Sequence, residues 1–136
     1  MYYKILNLLL FCTVLYGAKI EHIKWHWNYS QALRKAKKQH KPIMLFLQKK
    51  DSTDSKKMLF TTLCNQPYIK DINKKYISAV AFFEDKNNYP IELFYTNTFP
   101  TVFFINFKDE SFYKKPIYGF ISPAEFKKIL NDSKLK

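Results

Sequence analysis

Residues Ile43-Met44-Leu45-Phe46-Leu47 form an unbroken apolar run of strand length. A strand with one wet face alternates apolar and polar side chains, so a run without that alternation is a strand buried on both faces. This predicts a central strand in a sheet covered on both sides. Ile77 to Phe83 is a second apolar strand and Val102 to Phe107 a third.

The segments between them read as helices. Ser30 is placed to cap a helix over Gln31 to Gln39 with Ala32, Leu33 and Ala36 on its apolar side, and His40-Lys41-Pro42 stops it. After the polar Gln48-Lys49-Lys50-Asp51-Ser52, the stretch Asp54 to Thr62 carries Met58, Leu59 and Leu63 at helical spacing. Pro67 suits the first turn of a helix running through Ile69 and Ile72 to about Tyr76. A short helix is expected between Tyr89 and Phe99, with Pro90 at its start and Ile91, Leu93 and Phe94 on its buried side. Tyr113 to Phe120 makes the last strand. Ser122-Pro123-Ala124-Glu125 is a capping box opening a final helix to about Leu130. A βαβ half followed by a ββα half implies an α/β fold, a central mixed sheet with helices on both faces.

With 136 residues, 47% of them hydrophobic and 18% aromatic, the chain suits one domain with a substantial core. No internal repeat or low-complexity stretch argues for a second.

The N-terminus has the three parts of a secretory signal: Lys4, an apolar run from Ile5 to Tyr16 broken by Asn7 and Thr13, then Gly17-Ala18. The run is shorter than the roughly 20 residues a spanning helix needs, so residues 1–18 are expected to be a signal peptide and 19–136 the exported domain, periplasmic or otherwise outside the cytoplasm. An uncleaved N-terminal anchor is the alternative. Cleavage removes Cys12 and leaves Cys64 alone, which excludes an internal disulfide. Removing Lys4 takes the net charge from +12 to about +11, which favours electrostatic contact with an anionic membrane or cell-wall surface. Arg34 is the single arginine among 23 basic residues, and recognition of bases and phosphates favours arginine, so no nucleic-acid partner is expected.

The element order resembles that of thioredoxin, and several segments share its register. The strand Met44–Leu47 leads through Gln48–Asp51 to Ser52-Thr53-Asp54-Ser55 at the spacing where thioredoxins carry C-x-x-C. Phe99-Pro100-Thr101-Val102 is similar to the loop whose proline follows a cis peptide bond and faces the redox pair. Tyr118-Gly119-Phe120-Ile121-Ser122, with Phe126, Ile129 and Leu130, resembles the last strand and helix. The opening from Tyr29 through Ala36-Lys37-Lys38 to Ile43 resembles the exported thioredoxin-related branch. The match spans roughly Tyr29 to Leu130.

The departures from that pattern are chemical. In the family, reactivity depends on a thiolate at a helix N-terminus, where free amides and the macrodipole lower its pKa. A serine hydroxyl stays protonated near neutral pH, forms no mixed disulfide and needs an adjacent base to become a nucleophile. His22, His26 and His40 all precede the central strand, and Asp54 lacks the reach. The family often keeps a buried acid beneath the redox pair to move protons, and the matching position here is Phe46. Dithiol oxidoreductase activity is therefore not expected, nor is any cofactor.

Ser52, Thr53, Asp54 and Ser55 remain good capping residues; with Pro100 beside them they either keep a groove for an extended peptide or serve only as ordinary caps in a degenerate loop. Cys64 is expected to be a buried structural residue, with a reactive single thiol or an intermolecular disulfide as the alternatives. His22 and His26, four apart with Glu21 nearby, lack a third clear ligand, so no metal is assigned. The leading expectation is a non-catalytic module binding a protein or peptide in the cell envelope. The alternatives are a monothiol redox or thiol-transfer protein using Cys64 and a basic envelope-surface binder.

Overall fold

The computed structural model describes residues 20–132. The leader and Cys12 lie outside them, and no helix among the described residues is long and apolar enough to cross a membrane. In chain order the elements are β1 (Trp25–His26), α1 (Tyr29–Gln39), β2 (Ile43–Gln48), α2 (Thr53–Phe60), α3 (Ile69–Lys75), β3 (Ile77–Phe82), β4 (Thr101–Ile105), β5 (Phe112–Tyr118) and α4 (Pro123–Asn131).

The strands form one five-stranded sheet in the order β1-β3-β2-β4-β5. β3 runs parallel to β1 and β2, whereas β2–β4 and β4–β5 are antiparallel. All six residues of β2 are buried, as its continuous apolar run requires. Because side chains alternate across a strand, β2 divides the interior in two. Met44 and Phe46 face a core built with Met58 of α2, Ile69 and Ile72 of α3, Phe104 of β4 and Phe126 of α4. Ile43, Leu45 and Leu47 face a second core holding Tyr29, Ala32 and Ala36 of α1 with Tyr89, Phe94 and Phe103.

Local chemistry moved several element boundaries. α1 starts at Tyr29 because Asn28, not Ser30, is the cap: its side-chain oxygen accepts from the Gln31 N–H at 3.1 Å. His40 closes that helix in the left-handed conformation, φ 53°. α2 stops at Phe60, where Thr61 caps it and donates its hydroxyl to the Lys57 carbonyl at 2.7 Å. Pro67 lies exposed in a turn, and α3 begins two residues later with Tyr68 as its N-cap. β4 ends at Ile105 because Asn106 donates to the Ser111 carbonyl at 2.8 Å, closing the turn into β5.

No helix forms between Tyr89 and Phe99. A single turn closes on the Pro90 carbonyl, which accepts from Leu93 at 3.0 Å and from Phe94 at 3.3 Å. Tyr89 and Phe94 are buried in the second core, but Leu93 is 50% exposed rather than packed. α4 begins as its sequence predicts, with the Ser122 hydroxyl accepting from the Glu125 N–H at 3.3 Å and Pro123 in the first turn.

Candidate functional site

Gln48 ends β2 and hands the chain to a tight turn that brings Ser52 to the start of α2. The Ser52 N–H donates to the Lys49 carbonyl at 3.1 Å, and its Oγ accepts from the Ser55 N–H at 3.1 Å. Ser55 is fully buried, and its Oγ accepts in turn from the Lys49 N–H at 3.4 Å. The two serines thus tie the turn to the helix it precedes. Thr53 and Asp54 between them are exposed, with Asp54 in the first turn, where a negative charge complements the positive end of the helix dipole.

The β2–β4 register sets Thr101 directly opposite Leu47, so Pro100 lies beside the end of β2. The Phe99–Pro100 peptide is cis. The Pro100 carbonyl accepts from the Gly119 N–H at 2.7 Å, and Gly119 has φ 81°, a backbone region that side-chain-bearing residues seldom enter. Buried Thr101 donates its hydroxyl to the Thr98 carbonyl at 2.6 Å and lies 3.0 Å from Thr96 Oγ1, which accepts from the Thr98 N–H at 3.1 Å. Three threonines therefore hold the backbone that precedes the proline.

Phe99 is half-buried. Its ring centroid lies 5.0 Å from that of Phe83, and Lys49 Nζ sits 5.9 Å above it. No hydrogen bond within the described residues engages the Phe99 N–H or C=O. Nearby, Trp27 is 61% exposed and stacks on Phe82 with centroids 6.3 Å apart, while Lys50 Nζ lies 5.7 Å over the same Phe82 ring. The Lys50 N–H is held at 3.1 Å by a Glu84 carboxylate oxygen. The result is two separate aromatic pairs near the end of β3, each with a lysine ammonium over one ring.

The family model described as thioredoxin-like matches residues 24–106. This chain belongs to the thioredoxin-like family. Its thioredoxin-like fold superposes on a thioredoxin from Thermus thermophilus at TM-score 0.67 with 17% identity, over 78% of this chain and 82% of that one. It also matches a structure named DsbH oxidoreductase at TM-score 0.66 with 21% identity, covering 88% and 90% of the two chains. The C-terminal domain of DsbD from Neisseria meningitidis, in its oxidised form, aligns at TM-score 0.55 with 24% identity over 74% and 88%. No curated protein matches the chain in sequence.

Within this thioredoxin-like frame, the core position under α2 is filled by Phe46. Its ring is fully buried and packs 6.0 Å from that of Trp25, so it offers no group that binds or releases a proton. Cys64 is not the buried residue its sequence position suggested. The helix has already ended, and Cys64 sits half-buried in the following turn with its N–H 3.4 Å from the Thr61 carbonyl.

The histidines are not gathered at the loop. His22 is exposed ahead of β1, His26 Nδ1 lies 3.1 Å from the Ser78 carbonyl, and the His40 ring meets Phe107 edge-on at 5.5 Å. Among the described residues no three of His, Cys, Asp and Glu cluster as a cation site.

Proposed function

We propose that this is an exported, non-catalytic member of its family that holds an extended protein or peptide segment beside Pro100 in the cell envelope. The observation that carries this reading is the main chain of Phe99. Its N–H and C=O are unpaired within the described residues, next to the proline loop and the Phe83 ring. An extended segment satisfies such groups by strand-like pairing, while pockets beside it read alternate side chains. The two serines support the non-catalytic part. Both hydroxyl oxygens accept from backbone N–H groups, and among the described residues neither is hydrogen-bonded to a side-chain base.

The test has two arms on the purified protein. Insulin reduction should stay at background, and activity well above it would end the non-catalytic reading. In NMR titrations with a panel of extended peptides, a binding peptide should shift the amides of Phe99, Thr101 and Ser52 together, and Phe99→Pro, which removes the free N–H, should abolish that response. A panel that moves none of these amides would overturn the binding reading.

A further inference from the structure

Far from the Ser52–Ser55 loop, where β3 begins rather than where β2 ends, a cavity of about 170 Å³ opens beside α1, α3 and the segment leading into β1. Its wall carries Lys24, Lys35 and Lys41 together with His26, Asn73 and Ser78, and no carboxylate lines it. None of the three lysines has an acidic side chain within ion-pairing distance among the described residues. Like charges gathered without a counter-charge repel one another. Three lysines that form no ion pair around one cavity therefore favour an anion there, with the Glu21 carboxylate the nearest opposing charge.

The surroundings fix the backbone of the Lys24 segment and the His26 ring. Asn73 Oδ1 accepts from the Lys24 N–H at 3.0 Å, and its Nδ2 donates to the His22 carbonyl at 2.7 Å, which pins the segment carrying Lys24 against α3. The Glu21 carboxylate in that segment is engaged by the same Asn73 amide at 3.4 Å. The His26 ring is positioned by its Nδ1 contact with the Ser78 carbonyl. Ser78 itself is 2% exposed, and its hydroxyl has no hydrogen-bond partner. A buried hydroxyl without a partner in a native interior is uncommon. Ser78 belongs to the cavity wall, but its hydroxyl is closed to solvent, so the anion is held by the lysines rather than by this oxygen.

The C-terminal ends of α1 and α3 lie on the same side and carry the opposite preference. Each amounts to about half a negative charge, against three full positive ones on the wall.

We propose that this cavity binds a phosphate-class oxyanion, supplied free or as the phosphate of an anionic lipid headgroup. It is independent of the peptide reading, since no residue of the Ser52–Ser55 or Phe99–Thr101 segments lines the cavity.

The experiment is an NMR titration of the full chain with inorganic phosphate at low ionic strength. The expected result is saturable shifts at Lys24, Ile77 and Ser78, weakened at least about tenfold in Lys35→Gln/Lys41→Gln. A control pair on α1, Lys37→Gln/Lys38→Gln, has the same loss of charge outside the cavity and should keep the wild-type affinity.

Phosphatidylglycerol and phosphatidylcholine vesicles separate the two sources. Binding to the former alone, competed by phosphate and lost in the cavity pair, assigns a headgroup; phosphate binding without vesicle binding assigns a free ligand. Shifts that never saturate, or equal weakening by both lysine pairs, would overturn the site in favour of diffuse surface charge.

Discussion

The Lys114 ammonium, on a residue only 7% exposed, donates to the Ile129 carbonyl at 2.9 Å, reaching from β5 to the last turn of α4. A second bond goes to the Leu130 carbonyl at 3.2 Å, so one side chain satisfies two of the acceptors that a helix C-terminus leaves open. Lys114→Ala should destabilise the fold by roughly 1–3 kcal/mol, and Lys114→Met should recover the share that comes from packing of the aliphatic stem. Chemical denaturation of the three proteins separates the two contributions.

The same lysine has a pH signature. Burial, then the charge of Lys75, lowers its pKa in the folded protein, with Asp132 acting in the opposite direction. The folded state then releases this proton before the unfolded state does, so the Lys114 contribution becomes more favourable as pH rises towards the ordinary lysine value. In Lys114→Met that rise disappears.

Tyrosines act with the opposite sign in alkali. Burial pushes both Tyr68 and Tyr76 up to about 12, with Tyr113 adding to the effect at Tyr76. A group whose pKa is raised by folding contributes its full stability below the unfolded value near 10 and loses it as pH climbs through the folded value. Alkaline unfolding should therefore begin above about pH 10 and steepen to pH 12, each tyrosine accounting for roughly 2–3 kcal/mol across the window. Tyr76→Phe should flatten the curve of stability against pH, and an unchanged curve would refute the assignment. Tyr68 is the poorer test because its hydroxyl also donates to the Thr62 carbonyl.

At the candidate site, Ser52→Ala should cost about 1 kcal/mol by removing the α2 cap, while the exposed Thr53→Ala should fall within about 0.5 kcal/mol of wild type. Equal effects would mean that the Ser52 cap is not what holds this turn.

Cys64→Ser decides between the peptide reading and its monothiol rival. Peptide binding and fold stability should be retained, because the thiol lies beyond α2 and outside the proline loop. A loss of thiol-transfer activity on this substitution would instead establish the thiol chemistry.

The sheet was legible where burial is total. Ile43–Leu47 and Ile77–Phe82 are apolar throughout or nearly so, and their order implied the parallel pair at the centre. Ser52 and Ser55, at the spacing where the resemblance expects two cysteines, and Phe46, where it expects an acid, were read directly from the sequence. The segment after Tyr89 misled because Pro90 and the apolar Ile91, Leu93 and Phe94 suggest a helix. The bonds among Thr96, Thr98 and Thr101 instead commit the backbone to an irregular approach to Pro100. Competition between side-chain and main-chain hydrogen bonding has no periodic signature. The cationic cavity was invisible for another reason. Lys24, Lys35, Lys41 and Ser78 are scattered along the chain, and the β1–β3 pairing with the packing of α1 assembles them. Lys114 likewise carries no mark in the sequence of the helix end it reaches.

One consequence concerns the free margin of the sheet. β5 is its outermost strand beyond β4, and Pro116 interrupts it with a residue that has no N–H, beside an exposed Lys115. A margin of this kind is a poor template for recruiting another chain, because one donor is missing and a charge must be buried to lay a strand alongside it. The protein is therefore built to resist edge-to-edge aggregation on that side, and replacing Pro116 with a β-branched residue should turn a quiet border into a growth front.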